Sequence, residues 1–553
     1  MPSALGIDVG TTNTKVALVD AGGPAPRVRA VASAPTPAPG ALRRTLLQLI
    51  AQVLTGSGPP GSGPAGSRSA WSGPAWSRSV DAGPVGAGPG RWVAAGVSPP
   101  DVVGIASMAE TGVPLDAAGE PLGPWLRWHE REAAAAAEAL AGRLGREQLI
   151  AATGVRPSAK VPLAKLAWLR EHRPSVWAAM ARWSGAADLA CLQLTGRLAT
   201  DHTLAGRTMA YRLPAEGEGL AGAFDPDLLA EVGLRPSQLP AVVAPGEVAG
   251  VVSDPAFVAC GLRAGTPVVV AGHDHQVGAY ACGVRSPGDV ADSVGTAEAV
   301  MTLVGGHPSP VEAGRAGMSV VLTVEGRHRA VLAGSASAGA TIAWWLKHEA
   351  RGDDPLEGGP APDGPPALGG PPVLGGVRGR RDAVVGASDS GGDPFGAVVE
   401  LGEEPTGVIV LPYLAGRQTP VPDPEARLRV VGRRPEHGSV LLGKALLEGL
   451  SLHARWMLAE QLRLAAEPVA PTVFLFGGPV AANPAWVRIK ARVLPRGLRM
   501  VAEPETVAAG AALLALARAG FGDVPALPSE VVPGGGATYD AMFERFVGVA
   551  VGR

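Results

Sequence analysis

Short apolar runs alternate with amphipathic helical stretches over most of the chain. An apolar run at 4–9, a polar turn at 10–13 and a second apolar run at 15–19 predict a β-hairpin. Residues 102–128 return to short strands and turns. Further strands are predicted at 268–271, 408–411 and 472–476, and helices at 42–54, 132–144, 163–170, 175–182, 276–284, 441–464 and 506–517. Strands that alternate with helices in both halves predict an α/β fold of packed layers.

Two stretches break this pattern. Residues 55–91 hold two similar copies, SGPAGSRSAW at 62–71 and SGPAWSRSV at 72–80, and residues 351–396 are rich in Gly, Pro and Asp. Neither stretch has apolar periodicity, and both compositions are typical of flexible surface insertions. Trp71 and Trp76 leave open the alternative of a docking motif in the first insertion.

Composition excludes several classes of protein. The chain has 553 residues, for which about 150 residues per domain gives three to four domains, although two large ones fit as well. Lys and Arg number 48 and Asp and Glu 50, a net charge of −2, so no global attraction to nucleic acid or anionic membrane is expected. The 3 cysteines are far apart, and neither a signal peptide nor a long apolar run is seen. We expect a soluble cytoplasmic protein.

The first glycine-bearing turn follows an aspartate at a strand end. It reads Asp8-Val9-Gly10-Thr11-Thr12-Asn13-Thr14-Lys15. Mg²⁺ prefers oxygen ligands, and a carboxylate such as Asp8 can hold it through water. Gly10 lets the backbone approach a phosphate, to which Thr hydroxyls and turn N–H groups can donate. The alternative is a plain polar hairpin turn.

Two more glycine-bearing turns follow in order. The second is Asp292-Ser293-Val294-Gly295-Thr296, for which a simple β-turn is an equal alternative. In the third, an apolar strand at 474–476 runs into Gly477, Gly478 and Pro479, and Asn483 follows. This glycine pair leaves room for a flat ligand against the backbone, and its alternative is a strand-to-helix turn.

Asp274 stands between a predicted buried strand and a predicted helix, in the sequence Gly272-His273-Asp274-His275. A carboxylate at this place is a candidate general base. One alternative is an N-cap aspartate that accepts a hydrogen bond from the helix backbone. Another is a metal site, because His273 and His275 share one side of a strand.

The ordered set of motifs resembles the FGGY carbohydrate kinases, of the actin/hexokinase/Hsp70-like superfamily. The matching segments are 7–15, 292–300, 411–427 and 476–494. The resemblance implies two ribonuclease-H-like domains that close over a catalytic cleft. It gives an N-terminal, sugar-binding domain at 1–285 and a C-terminal, nucleotide-binding domain at 286–553, each carrying one of the insertions.

The resemblance also implies ATP- and Mg²⁺-dependent phosphorylation of a hydroxyl on a small sugar or polyol, with a ketose as the best guess. It makes Asp274 the catalytic base and places Asp8 near Mg²⁺. The residues implied for phosphate are Thr11, Thr12, Asn13, Thr14, Lys15, Gly295 and Thr296, and those for adenosine are Gly477, Gly478 and Asn483.

On the substrate side, the resemblance is less regular. Glu110 and Thr111 partly match an Arg-Glu-Thr motif, with Ala109 in the place of Arg. The stretch Trp128-His129-Glu130-Arg131 resembles W-x-D-x-R, with a glutamate replacing the aspartate. Glu110 could bind a vicinal diol or be a surface-loop glutamate. Trp128 would pack on the carbon face of the substrate, and His275 is assigned to the same side.

These departures leave the sugar undetermined. A homodimer is an open alternative to a monomer, and no nucleic-acid or membrane partner is expected. Two competing hypotheses stay open: an ATPase or phosphohydrolase on the same fold, and a non-catalytic regulator that binds nucleotide or sugar. The first predicts ATP turnover that no sugar changes.

Overall fold

The computed structural model describes residues 2–55, 98–349 and 395–552, apart from residues 415, 467 and 469. The two sequence-predicted insertions, with Trp71 and Trp76, lie outside these residues except at their ends. The helices are Leu42–Thr55, Ala134–Leu144, Arg146–Thr153, Pro162–His172, Pro174–Ala179, Ala186–Thr195, His202–Ala205, Pro226–Ala230, Pro255–Ala259, Asp274–Cys282, Pro310–Arg315, Gly339–Glu349, Ser439–Leu464, Gly478–Ala481, Pro484–Val493, Thr506–Arg518 and Asp540–Ala550, with 3₁₀ turns at Pro39–Ala41, Pro236–Gln238 and Gly396–Leu401.

The first large sheet has six strands. In spatial order they are Arg27–Pro35, Asn13–Asp20, Ser3–Val9, Val102–Ser107, Pro267–His273 and Gly250–Val251. The first three are antiparallel, the next two join in parallel, and the last is antiparallel again. The predicted hairpin is present, with Asp8 opposite Lys15.

The second large sheet has seven strands. In spatial order they are Ser319–Leu322, Arg329–Ser335, Glu298–Val304, Asp289–Val294, Thr472–Phe476, Leu498–Val501 and Ser529–Val532. The first four strands pair in antiparallel fashion. The strand Asp289–Val294 then pairs in parallel with Thr472–Phe476, which pairs in parallel with Leu498–Val501, and the edge strand Ser529–Val532 is antiparallel. Short two-stranded pairs join Gly112–Leu115 to Arg182–Gly185, Ala199–Asp201 to Ala241–Val243, and Ile409–Leu411 to Arg429–Val431.

Both sheets therefore share one plan, an antiparallel hairpin unit followed by parallel strands, and the α/β prediction is confirmed. The first sheet draws on residues 3–273 and the second on residues 289–532. A domain boundary at 285/286 stays a prediction that this division favours. No helix among the described residues combines the length and the apolar character needed to cross a membrane.

Two helices occupy the space between the sheets. Asp274–Cys282 and Thr506–Arg518 share one apolar cluster with small side chains from both sheets. The close approach of the helix Thr506–Arg518 to the first sheet depends on glycine, since a Cβ on Gly6 would lie 1.8 Å from the carbonyl oxygen of Ala508. A Cβ on Gly104 would lie 2.0 Å from that of Ala511. A Cβ on Gly510 of that helix would lie 2.5 Å from the carbonyl oxygen of Val277, so the helix that begins with Asp274 is part of the same tightly packed layer.

Helix ends differ from the sequence predictions where a local signal competes with periodicity. The helix predicted at 276–284 spans Asp274–Cys282, because Gly283 adopts φ +93° and ends it. The helix predicted at 175–182 spans Pro174–Ala179, because Arg182 begins a strand that pairs with Leu115. In the second case the tertiary pairing overrides a helical pattern.

Candidate active site

The first glycine turn closes the hairpin of the first sheet. The Gly10 N–H donates to the carbonyl oxygen of Asn13 at 3.1 Å, and the Thr36 hydroxyl donates to the carbonyl oxygen of Gly10 at 2.6 Å. Thr11, Thr12 and Asn13 are partly exposed at its tip, whereas Thr14 is buried with its hydroxyl 3.2 Å from that of Thr36. The turn is therefore held by its own backbone and by Thr36.

Asp8 lies at the base of this turn in an acidic cluster. Lys15, opposite it in the hairpin, pairs with Glu505 at 2.5 Å. Burial raises the pKa of Asp8 to about 8, Lys15 lowers it, and Asp274 and Glu505 raise it further. Its Oδ1 is buried and has no hydrogen-bond partner among the described residues. An orphaned carboxylate oxygen beside other carboxylates fits a divalent cation such as Mg²⁺, whose charge would favour the ionised form.

A bulge lies near the end of the strand Pro267–His273. The register with the strand Val102–Ser107 shifts between Val270 and Gly272, where φ is +130°. A Cβ on Gly272 would lie 2.4 Å from the Thr203 hydroxyl. That hydroxyl accepts from the His273 N–H at 2.9 Å and donates to Asp201 at 2.7 Å. Such bulges change the direction of the side chains that follow, here that of Asp274, the first residue after the strand.

Asp274 is the first residue of its helix. The N-cap is His273, with no side-chain capping bond, so Asp274 is not itself the N-cap residue. Its Oδ1 does accept from a backbone N–H of the helix, that of His275 at 2.7 Å, and it lies 3.2 Å from His273 Nε2. Burial raises the pKa of Asp274, Glu110 adds to the shift, and His275 lowers it.

The two histidines beside Asp274 also come together. One ligand atom from each of His273, Asp274 and His275 lies within 4.8 Å of the others. The three residues are therefore close enough to bind one metal ion, and the metal-site alternative stays open. His275 Nδ1 is 3.3 Å from the hydroxyl of Ser293 in the second sheet. His275 therefore links the helix of Asp274 to the second glycine turn.

Glu110 is buried and firmly held, so the surface-loop alternative is wrong. Its side chain is 11% exposed, and Arg207 Nε donates to its Oε1 at 3.0 Å. Its backbone has φ +63°, and its carbonyl oxygen accepts from Lys165 Nζ at 2.6 Å. Burial raises the pKa of Glu110, but Arg207 and Lys160 more than offset it, and the net shift is downward.

Trp128 joins this region to the first glycine turn. Its indole N–H donates to the Thr11 hydroxyl at 2.8 Å, and its backbone N–H donates to the Thr111 hydroxyl at 3.1 Å. The Lys160 ammonium lies 5.2 Å from its ring centre and donates to Gln418 Oε1 at 3.1 Å. Arg131 is exposed near the same cluster, and its charge contributes to lowering the pKa of Lys160, which burial lowers most.

Sequence reasoning missed Arg207, Lys160, Lys165 and Gln418. Arg207, Lys160 and Lys165 meet Glu110 or Trp128 through the fold, and Gln418 meets Lys160. Arg207 is 97 residues from Glu110 in the chain. No motif spacing marks such a pair. The one available signal was the scarcity of lysine, which makes two lysines at 160 and 165 notable.

The second and third glycine turns lie at the ends of neighbouring strands. Ser293 pairs with Phe476, and the carbonyl oxygen of Thr296 accepts from the N–H of Ala340 at 3.0 Å. Gly295 is in the same turn, and its carbonyl oxygen accepts from the N–H of Gly339 at 3.2 Å. The second turn therefore packs on the start of the helix Gly339–Glu349.

The third turn shows two different glycines. Gly477 has φ +125°, and a Cβ there would lie 2.0 Å from the carbonyl oxygen of Val294. A Cβ on Gly478 would meet open space. Asn483 Oδ1 accepts from the backbone N–H of Trp486 at 2.9 Å, so its side-chain oxygen caps the helix Pro484–Val493.

Comparisons with known families give one consistent match. The sequence model for the FGGY family of carbohydrate kinases, N-terminal domain, matches residues 95–281. The one for the C-terminal domain of the same family matches residues 290–519.

Individual relatives match over part of their length. An L-fuculokinase of Haemophilus influenzae is 31% identical over 190 residues, 34% of this chain and 39% of that protein. A xylulose kinase of Streptomyces coelicolor is 34% identical over 213 residues, 35% of this chain and 43% of that protein. The chain thus spans about two fifths of the length of these relatives.

The fold is also that of a solved sugar kinase. The crystal structure of gluconate kinase from Lactobacillus acidophilus matches with a TM-score of 0.73 and 18% identity, over 100% of this chain and 98% of that one. At this identity the likeness establishes the shared two-sheet architecture.

Proposed function

Since the chain belongs to the FGGY family of carbohydrate kinases, we propose that it transfers the γ-phosphate of ATP to a hydroxyl of a small sugar or polyol. One observation carries the proposal. The carboxylate of Asp274 is held between the Glu110 region and the glycine turns, and its charge interacts with both Glu110 and Asp8. A base at this point can serve an acceptor on one side and a nucleotide on the other.

The acceptor side consists of the group around Glu110. Glu110 would accept hydrogen bonds from two neighbouring hydroxyls, with its charge balanced by Arg207. The face of Trp128 would pack on the carbon skeleton, in the orientation that its bond to Thr11 fixes. The other residues proposed for this side are Thr111, Arg131 and His275.

The nucleotide side consists of the three glycine turns. Thr11, Thr12, Asn13, Thr14, Lys15, Gly295 and Thr296 are proposed for the phosphates, and Gly477, Gly478 and Asn483 for adenosine. The open space at Gly478 supports this proposal. Asp8 would hold Mg²⁺, which neutralises phosphate charge when bound.

The proposed reaction is a single in-line displacement. The acceptor hydroxyl gives its proton to Asp274, and its oxygen bonds the γ-phosphorus. The bond from that phosphorus to the β,γ-bridging oxygen breaks, and its electron pair leaves with ADP. General-base help of this kind is worth roughly 10²–10⁴-fold.

A ketose is our first choice of acceptor, and similarity to xylulose kinases supports it. A sugar acid is the second candidate, because the Lys160 ammonium at the acceptor site interacts with the charge of Glu110 but forms no salt bridge in the described part of the chain. Among the described residues no carboxylate lies within ion-pair distance of it. A substrate carboxylate would pair with this ammonium, as the likeness to a gluconate kinase also suggests.

A coupled assay of ADP release tests the proposal across ketoses, polyols and aldonic acids. We expect release that depends on one acceptor class. For a sugar acid, Lys160→Met should lower kcat/KM about 10–100-fold, as expected for a lost charged hydrogen bond. ADP release that no acceptor changes would favour the ATPase hypothesis, and binding without any turnover would favour the regulator.

A further inference from the structure

Three nitrogen atoms lie around one oxygen of Asp274. The backbone N–H of His275 donates to Oδ1 at 2.7 Å, His273 Nε2 lies 3.2 Å from the same atom, and His275 Nε2 lies 3.9 Å from it. Among the described residues no donor reaches Oδ2. The carboxylate is therefore held at one oxygen while the other is left for a ligand.

His273 has the properties of a neutral donor. It is buried, and burial holds its pKa well below the usual range, with further lowering from His275 and Arg207. An ionised carboxylate only accepts hydrogen bonds, so a neutral imidazole bonded to it carries its proton on Nε2. The titratable groups that face Asp274 are Glu110, Asp8 and His275, and of these only His275 offers a nitrogen, with Nε2 3.9 Å from the same oxygen.

The surroundings of Nδ1, the other ring nitrogen of His273, distinguish a hydrogen-bond donor from a metal ligand. Nδ1 of His273 is buried with no hydrogen-bond partner in the described part of the chain. A metal bound at Nε2 would force the proton onto Nδ1, where metal-ligating histidines ordinarily have an acceptor. The missing acceptor makes the metal alternative costly and favours the donor.

We propose that His273 is a positioning residue, whose Nε2–H holds Asp274 Oδ1 so that Oδ2 faces the acceptor hydroxyl. This inference rests on the proposed function. The backbone of His273 is itself fixed by Thr203, which is bonded to Asp201. The imidazole can therefore transmit a defined orientation to the carboxylate.

Substitution of the imidazole tests the proposal. His273→Met should lower kcat about 10–100-fold, the range found for lost second-layer hydrogen bonds. The KM values for ATP and acceptor should stay unchanged, and the melting temperature should hold or rise, since a poorly satisfied buried polar ring is removed. His273→Gln, which keeps a donor, should recover most of kcat.

His453→Met is a matched control. His453 is equally buried, its Nδ1 also has no hydrogen-bond partner in the part of the chain that the structure describes, and its Nε2 contacts the carbonyl oxygen of Thr419 at 2.6 Å. Loss of that imidazole should lower the melting temperature, because the carbonyl loses its partner, and leave kcat close to that of the parent protein.

A double-variant cycle separates positioning from a general structural effect. In the Asp274→Asn background, measured in single turnovers, His273→Met should cost less than about twofold, because its effect acts through the carboxylate. If His273→Met keeps the kcat of the parent protein while Asp274→Asn is inactive, the positioning role of His273 is overturned and the role of Asp274 as the base is not. An equal loss in both backgrounds would overturn it too. Wild-type kcat in Asp274→Asn would remove the base itself and the inference with it.

Discussion

At the residue scale, Glu110 is held by its backbone and its side chain at once. A non-glycine residue at φ +63° costs of order 1–3 kcal/mol and persists only where its surroundings fix it. Lys165 holds the carbonyl oxygen of Glu110 and those of Leu126 and Arg127. Burial lowers the pKa of Lys165 to about 8, so this support is itself costly. The strain is typical of a ligand site.

We expect Glu110→Gln to lower kcat/KM for the acceptor about 10–100-fold, because a charged acceptor of hydrogen bonds is lost. The KM for ATP should not change. Glu147→Gln is a matched control, since Glu147 accepts from Arg315 in the same way but is exposed. Steady-state kinetics at saturating ATP measure both variants. Acceptor kinetics that match the parent protein in Glu110→Gln would return Glu110 to a purely structural role.

The sequence could identify Glu110 and Asp274 but not their partners. Both stand in local motifs with a recognisable residue order, whereas Arg207 and Lys160 reach Glu110 only after folding. The predicted helix at 276–284 also begins two residues after Asp274, where the observed helix begins. The bulge at Gly272, just before that start, leaves no periodic signal in the sequence. A local sequence pattern carries no information about residues that meet only after the chain has folded.

At the element scale, the third glycine turn assigns different roles to two adjacent residues. The Gly477 position is closed by the carbonyl oxygen of Val294, and the Gly478 position is open. The sequence predicted the strand Thr472–Phe476 and the turn after it correctly. It could not distinguish the two glycines, because the contact with Val294 comes from a neighbouring strand.

Gly478→Asp should therefore weaken ATP binding about tenfold or more, because the new carboxylate would crowd and repel the nucleotide. The fold and the acceptor affinity should be retained, since the added side chain has room. Gly477→Ala should instead destabilise the protein by about 1–3 kcal/mol through overpacking. Calorimetric titration and thermal melting separate these results. An unchanged ATP affinity in Gly478→Asp would show that adenosine binds elsewhere.

At the scale of the whole molecule, two sheets of the same plan share a core made by Asp274–Cys282 and Thr506–Arg518. The alternation of strands and helices predicted the layers. The close packing of the second helix on Gly6 and Gly104 was beyond local analysis, because it joins segments some 400–500 residues apart, far outside any periodic window. The candidate base stands on one of these two central helices.

Deletion of residues 58–88, with a short Gly/Ser bridge, should leave the melting temperature and turnover nearly unchanged. The segment has no apolar periodicity, and the described chain ends a helix at Thr55 and resumes at residue 98, shortly before the strand Val102–Ser107. Thermal melting and the ADP-release assay measure the outcome. A fall of several degrees would support the docking alternative for Trp71 or Trp76, which Trp71→Ala and Trp76→Ala would then locate.

The most direct test of the account is the turnover of Asp274→Asn on the identified acceptor. Asn keeps the shape of Asp and can still accept from the N–H of His275, so folding and the binding of both ligands should persist. It cannot take the proton of the hydroxyl, and we predict a loss of at least about 10²-fold in kcat. A kcat close to that of the parent protein, with both ligands bound as before, would contradict the account.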